Sequence, residues 1–153
     1  MKKYVISMVL AFASLFALAP AGAADKGTQD EAVAMVTKAV ALVKAKGREA
    51  ALAEFNNPKG AFVDRDLYIF VIDKDGVTLA NGVNGRLIGK NVMQLKDAEG
   101  VYFIKKFIEI GDTKGKGWGP EYKWSNTVTH AMETKQSYVE KVDNLYIGCG
   151  VYK

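Results

Sequence analysis

The sequence predicts an α+β domain: a mostly antiparallel sheet with its helices packed to one side. Three observations carry this. Residues 28–46 hold Val33, Val36, Val40 and Val43 in one stripe at helical spacing. Asp75-Gly76 sits between two apolar runs, a strong short-range hairpin signal. The last third carries three strand-like runs, two of them joined at Asp143-Asn144. The resulting order, helix, helix, two strands, helix, three strands, is that of helices on an antiparallel sheet.

Each element has a local reason. Thr28 or Asp30 caps the first helix, Glu31 suits its first turn and Gly47 stops it. A second short helix runs from Arg48 to Phe55 and ends at Asn56-Asn57-Pro58. Leu67 to Asp73 is a continuous apolar strand, and Val77 to Asn81 is its partner. Residues 82–91 carry three glycines and read as an irregular loop. Asp97 to Ile110 reads as a helix with Val101, Ile104, Phe107 and Ile108 on one side. Gly111 to Gly119 reads as a flexible loop that feeds the strand Trp118 to Ser125. Glu133 to Val142 and Leu145 to Val151 are the last strands.

The first 23 residues read as a secretory signal peptide. Lys2-Lys3 precede an apolar run from Val5 to Ala19, and Ala21-Gly22-Ala23 forms a small-x-small cleavage site before Ala24. The run is shorter than the ~20 residues of a spanning helix; an uncleaved anchor is the alternative. The expected product is a single domain over 24–153, periplasmic or secreted. The net charge is +4 for the whole chain, and about +2 once Lys2 and Lys3 leave. No arginine-rich stripe is present, and the sequence points to no nucleic-acid partner. Cys149 is the only cysteine, which excludes an internal disulfide. It shares parity with Leu145, Ile147 and Val151, as a buried small hydrophobe would.

Catalytic and cofactor motifs are missing. His130 is the single histidine, read as an exposed loop residue, so a two-histidine metal site is impossible. No Gly-x-Ser-x-Gly elbow surrounds any serine. Gly111 to Gly117 lacks the Gly-Lys-Ser/Thr ending of a phosphate loop. Asp64, Asp66, Asp73 and Asp75 lack the spacing and the closing glutamate of a calcium loop. A hydrolase or lyase would need Asp73 or Glu140 beside Lys135 in a pocket. The reading is therefore no catalysis, no metal and no cofactor.

An aromatic and cationic set remains. Trp118, Tyr122 and Trp124 share parity, which in a regular strand lines one face. Such a face is ordinarily core. Three features favour binding instead: both tryptophans of the chain fall within seven residues, a glycine-rich loop that could close over a site precedes them, and Lys135 and Tyr138 lie on the adjacent strand. An ammonium beside phenol and indole donors suits a small carboxylate.

Asp75-Gly-Val-Thr-Leu-Ala80, Leu87-Ile-Gly-Lys-Asn91, Leu95-Lys-Asp97, Gly117-Trp118, Tyr122-Lys-Trp124, Lys135-Gln-Ser-Tyr-Val-Glu140 and Ile147-Gly-Cys-Gly-Val-Tyr152 resemble, in order and spacing, the single Cache domain (sCache, Cache type 2) of bacterial extracytoplasmic sensors and chemoreceptors. The resemblance covers nearly all of 24–153. It implies a PAS-like antiparallel sheet with a long amino-terminal helix, in a domain that binds small organic acids such as acetate, pyruvate or lactate without turnover. The ligand contacts it implies are Tyr68, Asn81, Trp118, Tyr122, Trp124, Lys135 and Tyr138. Lys135 supplies charge, the tyrosines hydrogen bonds and the tryptophans apolar walls. Where the family commonly places His-Pro, this chain has Asn81-Gly82. The chain ends at Lys153 without a membrane helix and cytoplasmic output, so the expected role is a soluble binding protein, a partner of a membrane sensor, or a buffer for its ligand. The leading helix is a candidate homodimer surface. The alternative is a protein–protein interaction module without a metabolite, its aromatic face filled by its own side chains.

Overall fold

Thr28 opens the first helix, α1 (Gln29–Lys46), with a full capping box: its side chain accepts from the Glu31 amide, and Glu31 accepts from the Thr28 amide. Gly47, at φ +82°, ends α1 and turns directly into α2 (Arg48–Phe55). The computed structural model describes residues 26–153; the signal-peptide reading lies outside them. Among the described residues, no helix is long and apolar enough to cross a membrane.

The sheet is antiparallel throughout. A two-residue strand, β1 (Val63–Asp64), pairs with β2 (Leu67–Asp73), and β3 (Thr78–Asn81) pairs with β2 through the Asp75-Gly76 turn. After a 3-10 turn (Gly85–Leu87) and α3 (Phe103–Lys114) come β4 (Lys116–Ser125), β5 (Met132–Val142) and β6 (Leu145–Tyr152). The spatial order is β1-β2-β6-β5-β4, with β3 also on β2. The last strand thus inserts at the sheet centre, where all its residues are buried.

Alternation along the central strands divides the core in two. Ile69 and Val71 of β2, with Ile147, Cys149 and Val151 of β6, pack under the Val36, Ala39, Val40 and Val43 stripe of α1. Phe70, Ile72, Val139 and Tyr146 face the opposite way, onto Phe103, Ile104 and Phe107 of α3. The helices therefore cover both faces of the sheet. The expectation of helices on one side fails because the apolar stripe of α3, with Val92 and Leu95 of the segment before it, covers the second apolar face.

Two boundaries also differ from the sequence reading. Asp97 opens no helix; its carboxylate accepts the Glu99, Val101 and Lys123 amides, holding a turn against β4. Helix α3 starts later, at Phe103, past Gly100 at φ +85°. It then runs to Lys114, so most of the expected loop 111–119 is helix and strand. Gly111 sits inside α3 because Tyr146 packs against it where a side chain would stand. The loop expected before β4 is reduced to the single residue Gly115 between α3 and β4.

Candidate functional site

Two bulges decide which side chains meet. In β4, Trp118 pairs with Tyr138 but Glu121 pairs with Gln136, so one extra residue stands at Gly119-Pro120. Gly119 fits there because the Phe107 ring lies 2.6 Å from where a Cβ would stand. The extra residue reverses the parity of Trp118 relative to Tyr122 and Trp124. Trp118 and Tyr138 stack edge to face at 5.5 Å on the α1 side of the sheet. Tyr122 and Trp124 point to the α3 side. The expectation that the three rings share one face is thereby corrected. Tyr138 could not accompany Lys135 in any case, since the two differ in parity within an unbroken ladder to β6.

The second bulge lies in β3. Val71 pairs with Ala80 and Ile72 with Thr78, leaving Leu79 as the extra residue. Thr78 and Asn81, of opposite parity in sequence, consequently both face α3.

Between these strands and α3 lies a cavity of about 40 Å³, against the roughly 10–15 Å³ that one water needs. Tyr68, Phe70 and Ile72 of β2 form its floor, with Thr78 and Asn81 from β3 and Tyr122 and Trp124 from β4. Phe103, Ile104 and Phe107 of α3 cover it, and Leu87, Val92 and Leu95 of the connecting segment complete the wall. Phe103 stacks on Tyr122 at 4.1 Å and meets Trp124 edge-on at 5.6 Å. Five of the seven sequence-derived contacts, Tyr68, Asn81, Tyr122, Trp124 and Lys135, line this cavity. Trp118 and Tyr138 do not.

Lys135 is the charged centre. Its side chain leaves β5, crosses β6 above Gly150 and donates to the Tyr68 hydroxyl at 2.8 Å and to the Tyr152 hydroxyl at 3.3 Å. The ammonium also lies 4.0 Å from the Tyr68 ring centre and 4.6 Å from that of Tyr152. The residue is only 1% exposed. Among the described residues, no carboxylate pairs with it.

The neutral groups are fixed too. The Tyr152 hydroxyl donates to the Ser125 carbonyl at 2.9 Å, and those of Tyr122 and Ser137 share a hydrogen bond of 2.8 Å. Burial pushes the Tyr122 and Tyr152 phenols well above their ordinary range, so both stay protonated. The Asn81 side-chain oxygen accepts the Val83 and Asn84 amides, which leaves its NH₂ as the group offered elsewhere.

Sequence reasoning missed Tyr152, Ser137 and Thr78. Tyr152 had a readable signal: with glycine at 148 and 150, it is the next residue on the same face of β6. Thr78 had none, because only the bulge turns it inward. Among the described residues, no group of three or more His, Cys, Asp or Glu comes together to hold a metal.

A family model, Single Cache domain 2, matches residues 18–153. The chain belongs to this family. Solved structures carry the same fold. A methyl-accepting chemotaxis protein from Vibrio parahaemolyticus superposes with a TM-score of 0.68 and 24% identity, over 80% of this chain and 86% of that one. A periplasmic sensor domain of a chemotaxis protein gives 0.64 and 21%, over 80% and 88%. A Cache chemosensory domain whose structure concerns carboxylic acid recognition gives 0.61 and 23%, over 78% and 84%. No curated protein matches the chain. Within this Cache domain, the cavity lies between the sheet and α3, on the face away from α1.

Proposed function

We propose that this Cache domain is an exported, sensor-type binding domain that takes a small organic carboxylate into the α3-side cavity without transforming it. One observation carries the reading: among the described residues, the buried Lys135 ammonium is held only by neutral hydroxyls and ring faces. An unpaired charge in a dry interior costs several kcal/mol, and a bound carboxylate offsets that cost. The rest of the cavity suits a short acid. Its walls are mostly apolar, and its size admits only a few non-hydrogen atoms. In this reading Tyr68, which holds the ammonium, also hydrogen-bonds the carboxylate, and Trp124 excludes water. A solved Cache domain concerned with carboxylic acid recognition supports this class of ligand. The basic and apolar leader with its Ala21-Gly22-Ala23 site supports export to the periplasm or beyond.

The test is a thermal-shift screen of the purified protein against short carboxylates, amino acids and amides. A ligand at about a hundredfold over its Kd adds ~2.7 kcal/mol, a readily measured shift. Stabilisation by short carboxylates that disappears in Lys135→Met supports the reading. Stabilisation that survives Lys135→Met removes the charge assignment. No response to any compound, in protein free of co-purified ligand, transfers the role to a protein-docking module.

A further inference from the structure

The bulge in β3 places a second polar group in the cavity, away from the lysine. Thr78 is 3% exposed and lines the cavity, yet its hydroxyl has no hydrogen-bond partner among the described residues. It is not fully occluded either, since among the described residues the only wholly enclosed side-chain oxygen without a partner belongs to Asp66. The backbone of Thr78 is firmly held: its N–H donates to the Lys90 carbonyl at 2.9 Å and its carbonyl accepts the Gly89 amide at 2.8 Å. The hydroxyl is thus an unused donor and acceptor on a rigid mount. Asn81, opposite Phe70, adds a donor, because its oxygen is already committed to two loop amides.

These groups lie in sequence along the floor. Tyr68, which contacts Lys135, is followed by Phe70 opposite Asn81 and by Ile72 opposite Thr78. Each two-residue step is about 6.6 Å along the strand. Among the described residues, Lys135 is the sole cationic one in the lining. A second carboxylate at the Thr78 end would therefore be buried without a counter-ion, whereas an uncharged oxygen would be satisfied there.

We infer that Thr78 is a specificity residue: with Asn81 it selects monocarboxylates that carry an additional uncharged oxygen, hydroxy or oxo acids, over unsubstituted acids and dicarboxylates. This rests on Lys135 being the carboxylate partner. Sites built to hydrogen-bond a ligand oxygen discriminate strongly against analogues that lack it, because the site's polar groups are left unpaired.

The experiment measures Kd by calorimetry, with protein expressed from the full chain, for propionate against lactate and pyruvate, for butyrate against 4-hydroxybutyrate, and for succinate. The oxygenated member of at least one pair should bind about tenfold or more tightly, with succinate weakest. Thr78→Val, which keeps the shape and strand propensity, should erase the preference by bringing the two members of the pair to the same affinity. Thr78→Ser, which keeps the hydroxyl, should retain it and guards against a folding defect in the valine variant. Equal binding within both pairs overturns the inference, as does a preference that survives Thr78→Val or a loss shared by both members. Those results leave Lys135 in its role. Absence of carboxylate binding altogether, by contrast, removes both.

Discussion

The Lys135 ammonium reaches the Tyr68 hydroxyl, at 2.8 Å, by crossing the whole width of β6. It can do so because Gly150 presents no side chain on that face: a Cβ there would overlap Lys135 Cε and the Ser137 hydroxyl. Gly148 does the same for Phe70, whose ring occupies the space where a Cβ would stand. The Gly-Cys-Gly run in the central strand is thus a pair of notches that lets a lysine and a phenylalanine lie flat across the floor.

Gly150→Ala follows directly. The methyl displaces the Lys135 stem, and overpacking of this kind costs ~1–3 kcal/mol. The expected result is a modest fall in the urea midpoint together with loss of carboxylate binding by at least about tenfold. Gly85→Ala is the control, because a Cβ there meets only Ile88 Cδ1 at 4.0 Å. Unchanged affinity in Gly150→Ala would mean that the lysine need not cross β6 to bind.

Lys135→Met separates stability from function. Methionine has a similar volume and fills the same channel without a charge to desolvate. Replacing buried charge by well-packed apolar groups is often neutral or stabilising by about 1–4 kcal/mol. The unliganded variant should therefore unfold at the same or higher urea concentration and fail to respond to carboxylates. Lys135→Ala should instead lose stability, since it leaves space between Tyr68 and Tyr152. A strongly destabilised methionine variant would show the ammonium to be a structural clamp rather than a waiting counter-ion.

The helix and strand order was readable because each element carries its own signal: the valine stripe, the Asp75-Gly76 turn, the apolar run of β2. The membership of the site was only partly so. Tyr68, Tyr122, Trp124 and Lys135 lie on stretches where simple alternation relates them to their neighbours. Trp118 and Thr78 lie across a bulge from the rest of the site, and one inserted residue reverses every side chain beyond it. Neither bulge has an unambiguous mark in sequence. Gly119-Pro120 is a hint in β4, and Thr78-Leu79-Ala80 offers none. The late start of α3 was hidden for a different reason: the spacing from Val101 onward extends back to Asp97 equally well, and the Asp97 bonds to the Glu99, Val101 and Lys123 amides, with Gly100 at φ +85°, exclude it.

Acid should loosen the domain from its leading segment inward. Hydrogen bonds from the Thr28 amide and Arg65 hold the Glu31 carboxyl at about 2, below its ordinary 4.5. Lys26 and Thr129 lower Glu133, and the Lys123 and Val101 amides lower Asp97. A carboxyl whose folded pKa is depressed contributes stability that is complete above the unfolded value and disappears as pH falls through the folded one. Stability should thus be flat above about pH 5 and decline between about 4.5 and 2. Urea midpoints across that range test this. Glu31→Gln should show a shallower decline, and an unchanged slope would remove Glu31 from the account.

Cys149 should report opening of the opposite core. Its thiol is buried against α1, donating to the Met35 sulfur at 3.9 Å, and burial pushes its pKa up to about 12. Thiolate is the reactive form, so the native protein should resist a disulfide reagent at pH 8 and react fully in denaturant. Because Cys149 sits on the central strand, labelling in buffer requires β6 to part from α1. A carboxylate bound at Lys135 never touches the sulfur, but it stabilises the closed state by RT ln(1 + [L]/Kd). At about a hundred times Kd, labelling should slow by about a hundredfold where opening is fast and exposes the site. Equal rates with and without such a ligand would show that the α1 face opens independently of the cavity on the other side of the sheet.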